Sequence, residues 1–260
     1  MARFFVDELP REGTVYILTG ENAAHAKVLR LRPGEEVTLC DGRGTDCPCT
    51  VEEGLTLRVG APLPCPAEPR AQVVLYLAFP KADKAEHVIQ KATELGAAEL
   101  VFFPSRYCVS RPDNKSLPKK LERWQKIARS AAEQSRRGII PPVRAVDSYA
   151  QALAEAAQAA LPVLFYENEE QLSLHSVLAS VGVSPHLSAQ ALTPSPQEEC
   201  IPAAPTVALM TGAEGGFSEE EIVQARAAGL QICTLGPRIL RCETAPLVGL
   251  TAVLYALGEI

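Results

Sequence analysis

Several things are missing from this chain, and each absence narrows what it can be. No apolar run approaches the ~20 residues a membrane-spanning helix needs. The start, Met1-Ala2-Arg3-Phe4-Phe5-Val6, is cut off by Asp7 and Glu8 before it could serve as a secretory signal, so a soluble, cytoplasmic protein is expected. There is no G-x-x-x-x-G-K-[ST], which argues against a P-loop nucleotide hydrolase, and there is no internal repeat. Of the eight cysteines only Cys47 and Cys49 stand close together, and no second pair lies at zinc-ligand spacing. The cysteines are therefore read as thiols, several of them buried, and no metal is expected. A general positive charge is also lacking, since the net charge is -6.

The charge is unevenly spread. Between Ser105 and Arg137 ten Lys and Arg face three acids, a local excess of +7 on an acidic chain. A charge run is usually a solvated helix face. Here few carboxylates are near enough in sequence to pair at i,i+4, so a polyanion-binding face is the stronger reading. Lys119, Lys120, Arg123, Arg136 and Arg137 lie in this run, with Arg106 at its start.

Residues 1–66 read as a small β-rich module. Thr14–Leu18, Val37–Cys40, Cys49–Val51 and Leu55–Val59 are short apolar runs separated by turn signals, with one short helix over 21–29. Pro62-Leu63-Pro64-Cys65-Pro66 reads as a stiff linker. From Ala71 to residue 260 the pattern changes to α/β. Val73–Ala78 is a continuous apolar run, as in a strand covered on both faces. Asp83 is placed to cap a helix ending at Gly96. A strand follows over 99–103, a helix over about 118–135, an Ala-rich helix over 150–160 and a strand over 163–166. This alternation implies a mainly parallel, doubly wound sheet. The stretch from about 173 to 205 lacks periodicity and reads as a surface loop or disordered insert. Ser218 with Glu221 is a capping box, and 245–257 is a final apolar helix.

The densest chemistry lies near the C-terminus. Met210-Thr211-Gly212-Ala213-Glu214-Gly215-Gly216-Phe217-Ser218 follows one apolar strand, and Leu235-Gly236-Pro237-Arg238-Ile239-Leu240-Arg241-Cys242-Glu243-Thr244-Ala245 follows another. Glycine where a parallel strand ends lets a ligand approach the main chain. Two such ends side by side would form one crevice for a nucleoside-like cofactor. Cys242 is read as a small apolar filler in preference to a nucleophile.

These two segments resemble, almost residue for residue, the signatures of the RsmE family, SPOUT-class methyltransferases that act on N3 of a uridine in 16S ribosomal RNA. Further matches are Lys81-Ala82-Asp83-Lys84, Ile89–Gly96, Ser105-Arg106 and Glu133–Arg137. His25, Val28, Leu29, Arg30, Pro33, Gly34, Asp41 and Gly42 resemble the family's PUA-like barrel. The chain departs from the pattern at Ala213, where proline is frequent, and in the length of 173–205. The resemblance implies a SPOUT domain with a trefoil knot, S-adenosylmethionine as cofactor, a homodimer, and 16S rRNA or the 30S subunit as partner. The strand–helix alternation alone implies only an ordinary doubly wound sheet.

On that footing Met210, Thr211, Gly212, Glu214, Gly215, Leu235, Gly236, Ile239, Leu240 and Thr244 are the expected cofactor contacts. Ile239 and Leu240 have a plain core role as the alternative. Glu214 either orients a loop, faces the sulfonium or is simply a helix-start anion. Arg241 is the first candidate to stabilise the uracil anion, and Glu243 is either a general base or the ion-pair partner that fixes Arg241. Arg30, Arg106, Lys119, Lys120, Arg123, Arg136 and Arg137 are the expected RNA contacts. Ribose 2′-O-methylation and a non-catalytic RNA-binding assembly factor are the alternatives.

Overall fold

A computed structural model describes residues 2–113, 115–180 and 206–260. The chain divides into two compact units, Met1–Glu68 with Arg129–Ile140, and Pro69–Ala128 with Pro141–Ile260.

The first unit is built on a six-stranded sheet. Its strands are β1 (Ala2–Phe5), β2 (Val15–Ile17), β3 (Glu36–Cys40), β4 (Thr45–Val51), β5 (Thr56–Val59) and β6 (Leu63–Pro64), with helix α1 (Gly20–Leu29) between β2 and β3. The order is β1-β3-β4-β5-β2, β1 and β3 are parallel, and β6 pairs with β4. The proline-rich segment expected as a linker is thus partly a strand. Side chains alternate across the sheet. Phe4, Leu39, Cys47, Cys49 and Val51 fill one core, which explains C-P-C as two inward positions around an outward Pro48. Phe5 and Cys40 point to the other face, against Ala132 and Ile140 from the returning segment. Arg3 is buried on this face and paired with Asp46, Nη2 to Oδ2 2.8 Å. β1 was not anticipated, because a buried arginine interrupts its apolar run.

The second unit is an α/β layer structure. Its strands are β7 (Gln72–Ala78), β8 (Glu99–Phe103), β9 (Val143–Ala145), β10 (Leu161–Phe165), β11 (Thr206–Thr211) and β12 (Gln231–Cys233). All pairings are parallel, in the order β12-β10-β11-β7-β8-β9. The helices are α2 (Ala82–Leu95), α3 (Leu117–Ser135), α4 (Tyr149–Ala156), α5 (Leu174–Ser180), α6 (Glu219–Ala227) and α7 (Ala245–Ala256). The last turns of α3 belong to the first unit. The central strands β7 and β11 are nearly all buried, as strands covered by helices on both faces must be. α7 packs against the sheet through Gly249, where a Cβ would overlap the Phe165 ring.

Three expectations are corrected. Lys81, not Asp83, is the N-cap of α2, and Asp83 lies in its first turn. The segment expected to be irregular from about 173 begins as α5, which buries Leu174, Val177 and Leu178, and Ser173 bridges to Thr234. The remainder, 181–205, lies outside the described residues. β11 and β12 are not neighbours, because β10 runs between them, so three strand ends rather than two form the crevice.

The chain runs outward from β7 to β8 and β9, then crosses to β10 and inserts β11 beside β7. A sheet wound this way has a reversal of direction at β7 and β11, and the space outside the carboxyl ends of the strands there is the natural place for a ligand.

Candidate active site

A cleft of about 780 Å³ opens at that place, within the ~300–1,000 Å³ range of small-molecule sites. Three strand ends line it, with one residue each from α2 and the start of α7. β11 delivers Thr211, Gly212 and Glu214; β12 delivers Leu235, Gly236, Ile239, Leu240, Arg241 and Cys242; β10 delivers Phe165, Tyr166 and Glu167; α2 delivers Lys84. The β10 residues and Lys84 were not anticipated as site residues. A third apolar strand ending in an acidic run, Tyr166-Glu167-Asn168-Glu169-Glu170, was the available signal for the first group.

Local chemistry shapes each wall. After β11 the chain turns tightly, with the Gly216 N–H bonded to the Ala213 carbonyl at 3.0 Å. Gly216 has φ +65°, and a Cβ there would run into the Glu167 carboxylate. Ser218 and Glu221 then form the expected capping box at the start of α6. Glu221 does more than that, because its Oε1 also accepts the Arg106 N–H at 2.8 Å. After β12, Thr234 exchanges hydrogen bonds with the main chain of Gly236 and sets the direction of the loop. Ile239, 83 % exposed, and Arg238 stand at the rim, so Ile239 is not a core residue.

Lys84 joins the two signature segments. Its Nζ lies 3.0 Å from Glu243 Oε2, 3.3 Å from Glu214 Oε1 and 3.6 Å from Cys242 Sγ. Glu214 also accepts the Lys81 N–H at 3.1 Å. It is therefore a helix-start anion, but for α2 rather than for the helix that follows it in sequence. Burial pushes both carboxyls up. For Glu214 the Lys81 N–H and Lys84 outweigh that, and for Glu243 chiefly Lys84 does, so both are held below the usual carboxylate range. The bond to Glu243 pushes the Lys84 ammonium well above its ordinary value. Burial, and then Glu243, push the Cys242 thiol up to about 12, which disfavours the thiolate at neutral pH. Arg241 is 81 % exposed, with Nη1 4.0 Å from Glu243 Oε1. Glu243 is thus nearer to Lys84 than to Arg241.

Other predicted residues lie elsewhere. Met210 is wholly buried in the core of the second unit and does not reach the cleft. Gly215 packs against Tyr107. Thr244 is the N-cap position of α7.

Among the basic residues, Arg30 is exposed at the C-cap of α1, and Arg136 is exposed with φ +65°. Lys119 is exposed and Lys120 half-buried on α3. Arg106 and Arg123 are exposed but pair with Glu220 and Glu86, each at 2.8 Å. Arg137 does not fit the expected role. It is buried and forked onto Glu68, Nη2 to Oε2 2.8 Å. The basic run is therefore less one-sided than its sequence, because carboxylates from distant segments fold back onto it.

An RNA methyltransferase domain matches residues 66–254, and an RNA methyltransferase PUA domain matches residues 18–57. The chain is 32% identical over 263 residues to ribosomal RNA small subunit methyltransferase E of Bacillus subtilis, covering 98% of this chain and 96% of that protein. It is 34% identical over 258 residues to the protein of the same name from Mycobacterium tuberculosis, covering 96% and 90%. The chain belongs to the ribosomal RNA small subunit methyltransferase E family. A crystal structure of a family member from Neisseria gonorrhoeae, bound to S-adenosylmethionine, has a TM-score of 0.76 at 30% identity and covers 98% of this chain and 97% of that one. In this member of the family the methyltransferase match begins just before β7 and runs into α7, so it encloses all the strand ends of the cleft. The PUA match falls within the sheet of the first unit.

Proposed function

We propose that this protein transfers the methyl group of S-adenosylmethionine to N3 of a uridine in 16S ribosomal RNA of the 30S subunit. The observation that carries the reading is the cleft itself. It is formed at three parallel strand ends, with both signature segments on its walls, in a chain of this enzyme family. The Neisseria gonorrhoeae relative, similar over nearly its whole length, binds this cofactor.

The residues present fit such a group. Gly212 and Gly236 carry no Cβ at the strand ends, Leu235 and Leu240 offer apolar contact, and Glu214 and Glu243 are ionised carboxylates that complement a cation. Thr211, Gly212, Leu235, Gly236, Ile239 and Leu240 would hold it. When bound, it supplies an electrophilic methyl on a sulfonium. The transfer is an in-line displacement, so the protein's main task is positioning.

N3 of uracil must give up its proton, here to water at the open rim of the cleft, before its lone pair can displace the sulfonium and take the methyl group. We assign Arg241 to stabilising the anion that develops, a role its exposure at the rim supports. Glu243 is held ionised by Lys84 and is a weak base in that state. We assign it to orienting the cations around it. The target base reaches the cleft unpaired or flipped out. Arg30 and Arg136 of the first unit, and Arg106, Lys119, Lys120 and Arg123 of the second, take the phosphates. The surface pairs that engage Arg106 and Arg123 are worth little and are readily exchanged for phosphate.

The proposal extends to a knotted second unit and a cytoplasmic homodimer. β11 entering between β10 and β7 supports the first. Exposed Ile239 and, on α7, Val248 and Tyr255 support the second. Among the described residues no helix is long and apolar enough to cross a membrane.

The test is methyl transfer from labelled S-adenosylmethionine to 30S subunits and to naked 16S RNA, both from cells lacking the activity, with the product nucleoside identified by mass spectrometry. 3-Methyluridine at one position is expected. A 2′-O-methylated nucleoside would overturn the base assignment, and absence of cofactor binding would leave a non-catalytic RNA binder.

A further inference from the structure

The two signature loops leave strands that do not touch each other. β10 separates β11 from β12, so no ladder of hydrogen bonds links the loop at 212–217 to the loop at 234–244. Yet both must present their main chains to one ligand. Among the described residues, the ion pairs that join these two loops pass through Lys84.

We propose that Lys84 is a positioning residue for methyl transfer, a cross-brace whose ammonium fixes the two loops of the cleft against each other and against α2. The inference rests on the functional reading above. An ammonium has three N–H donors, and three acceptors surround this one: Glu214 from the first loop, and Glu243 and Cys242 from the second. The Lys84 side chain is 22 % exposed, and those of Glu214 and Glu243 are 22 % and 20 %, so water competes weakly for these bonds. Two carboxylates drawn to one point make each other harder to ionise, and a cation between them offsets that. Lys84 makes the double negative charge tolerable, and the two loops are drawn in as a result. A compact ammonium directs its three donors tetrahedrally and can serve three acceptors gathered around one point. The larger, planar fork of arginine spreads its donors in one plane, so the exchange of Lys for Arg is not conservative here.

The experiment uses the full-length protein and S-adenosylmethionine itself. Wild type is titrated with the cofactor by calorimetry from pH 5 to 8, and kcat and KM for methyl transfer to the RNA substrate are measured alongside. The same is done for Lys84→Met, Lys84→Arg and the triple variant Lys84→Met, Glu214→Gln, Glu243→Gln. The triple variant guards against a misfolded single variant, because it leaves no uncompensated carboxylate. We expect Lys84→Met to lower kcat by about 10²-fold, as a misplacement of about 1 Å does. We also expect it to make cofactor affinity pH-dependent below pH 7, since one of the two glutamates now titrates there. Lys84→Arg should recover only part of the loss. The triple variant should recover the thermal midpoint and the flat pH profile but not kcat. Wild-type kcat and a flat pH profile in Lys84→Met, or full recovery of kcat in the triple variant, would overturn the brace while leaving the enzyme reading intact. Failure of wild type to bind the cofactor would overturn that reading, and the brace with it.

Discussion

Glu214 accepts the backbone N–H of Lys81 across 133 positions of sequence, and so caps the helix that begins after β7 from a loop that follows β11. The glutamate thereby ties a cofactor-facing loop to a helix start, and stability and cofactor binding become linked at one side chain. Glu214→Ala should cost about 1 kcal/mol through the lost cap, equivalent to a fall of about 2–4 °C in the thermal midpoint of a domain this size. Glu214→Gln keeps an acceptor for Lys81 and should recover most of that midpoint. It loses the charge, so its affinity for S-adenosylmethionine should stay depressed. Scanning calorimetry and titration calorimetry on the two variants check this, and equal midpoints for Ala and Gln would contradict it.

Arg241 has a different profile. It is exposed at the rim, its ion-pair contact among the described residues is at 4.0 Å, and its side chain does not hold the fold. Arg241→Ala should therefore leave the thermal midpoint unchanged and cofactor affinity nearly so, while lowering methyl transfer by about 10²–10³-fold, the range for removing one donor to a developing anion. Equal losses in cofactor affinity and in transfer would move Arg241 from chemistry to cofactor binding.

Much of this was legible beforehand, and the boundary of legibility is physical. β7 and β11 are buried on both faces, so their continuous apolar runs announce them. The capping box at Ser218 and Glu221 is a local pattern and reads directly. β1 was hidden by Arg3, whose charge is matched by Asp46 on a strand 43 residues away. α5 was hidden by its seven-residue length and Ser-containing sequence. At the site, the two glycine-rich loops could be seen, but not that β10 would come between their strands. The position of Lys84 between Glu214 and Glu243 follows from that insertion, and no spacing rule reaches across it. The same holds for the basic run: Glu68, Glu86 and Glu220 neutralise Arg137, Arg123 and Arg106 only after folding.

The two glutamates contribute to the acid limit of stability. Their folded values lie below the 4.5 of an ordinary glutamate, so each contributes stability that is fully present above that value and lost as pH falls through the folded one. Lys84 is raised above 10.5, and its contribution is complete below that pH. Stability should therefore be flat between about pH 5.5 and 8 as far as this cluster is concerned, and should decline only below about 4.5. Urea unfolding midpoints across that range measure it. In Lys84→Met the decline should begin at higher pH, and an unchanged acid limb would show that the glutamates do not depend on the ammonium.

Salt should separate the cations of α3 from those of the cleft. Reversing Lys119, Lys120 and Arg123 to Glu removes partners for phosphate without touching the cofactor walls. RNA affinity should fall, and the slope of its logarithm against the logarithm of salt should become shallower by about 0.7–0.9 for each phosphate that is no longer neutralised. Cofactor affinity should not change. Unchanged RNA affinity at low salt would remove this helix from the RNA face.

Adjacent arginines at the end of α3 give the sharpest contrast between structure and recognition. Arg136 is exposed, whereas Arg137 has a side chain only 4 % exposed and is forked onto Glu68, whose other oxygen accepts the Ile139 N–H at 2.9 Å. Removing one partner of a buried pair strands the other, at a cost of about 3–5 kcal/mol. Arg137→Ala should therefore destabilise the protein by about that much in urea titration, with RNA binding reduced only in proportion to the drop in folded fraction. Arg136→Ala should leave the unfolding midpoint where it is and weaken RNA binding in a salt-dependent way. If Arg137→Ala folds with wild-type stability yet loses RNA affinity, its guanidinium must leave Glu68 for phosphate, and the buried fork would be a resting arrangement of an RNA contact rather than a structural tie.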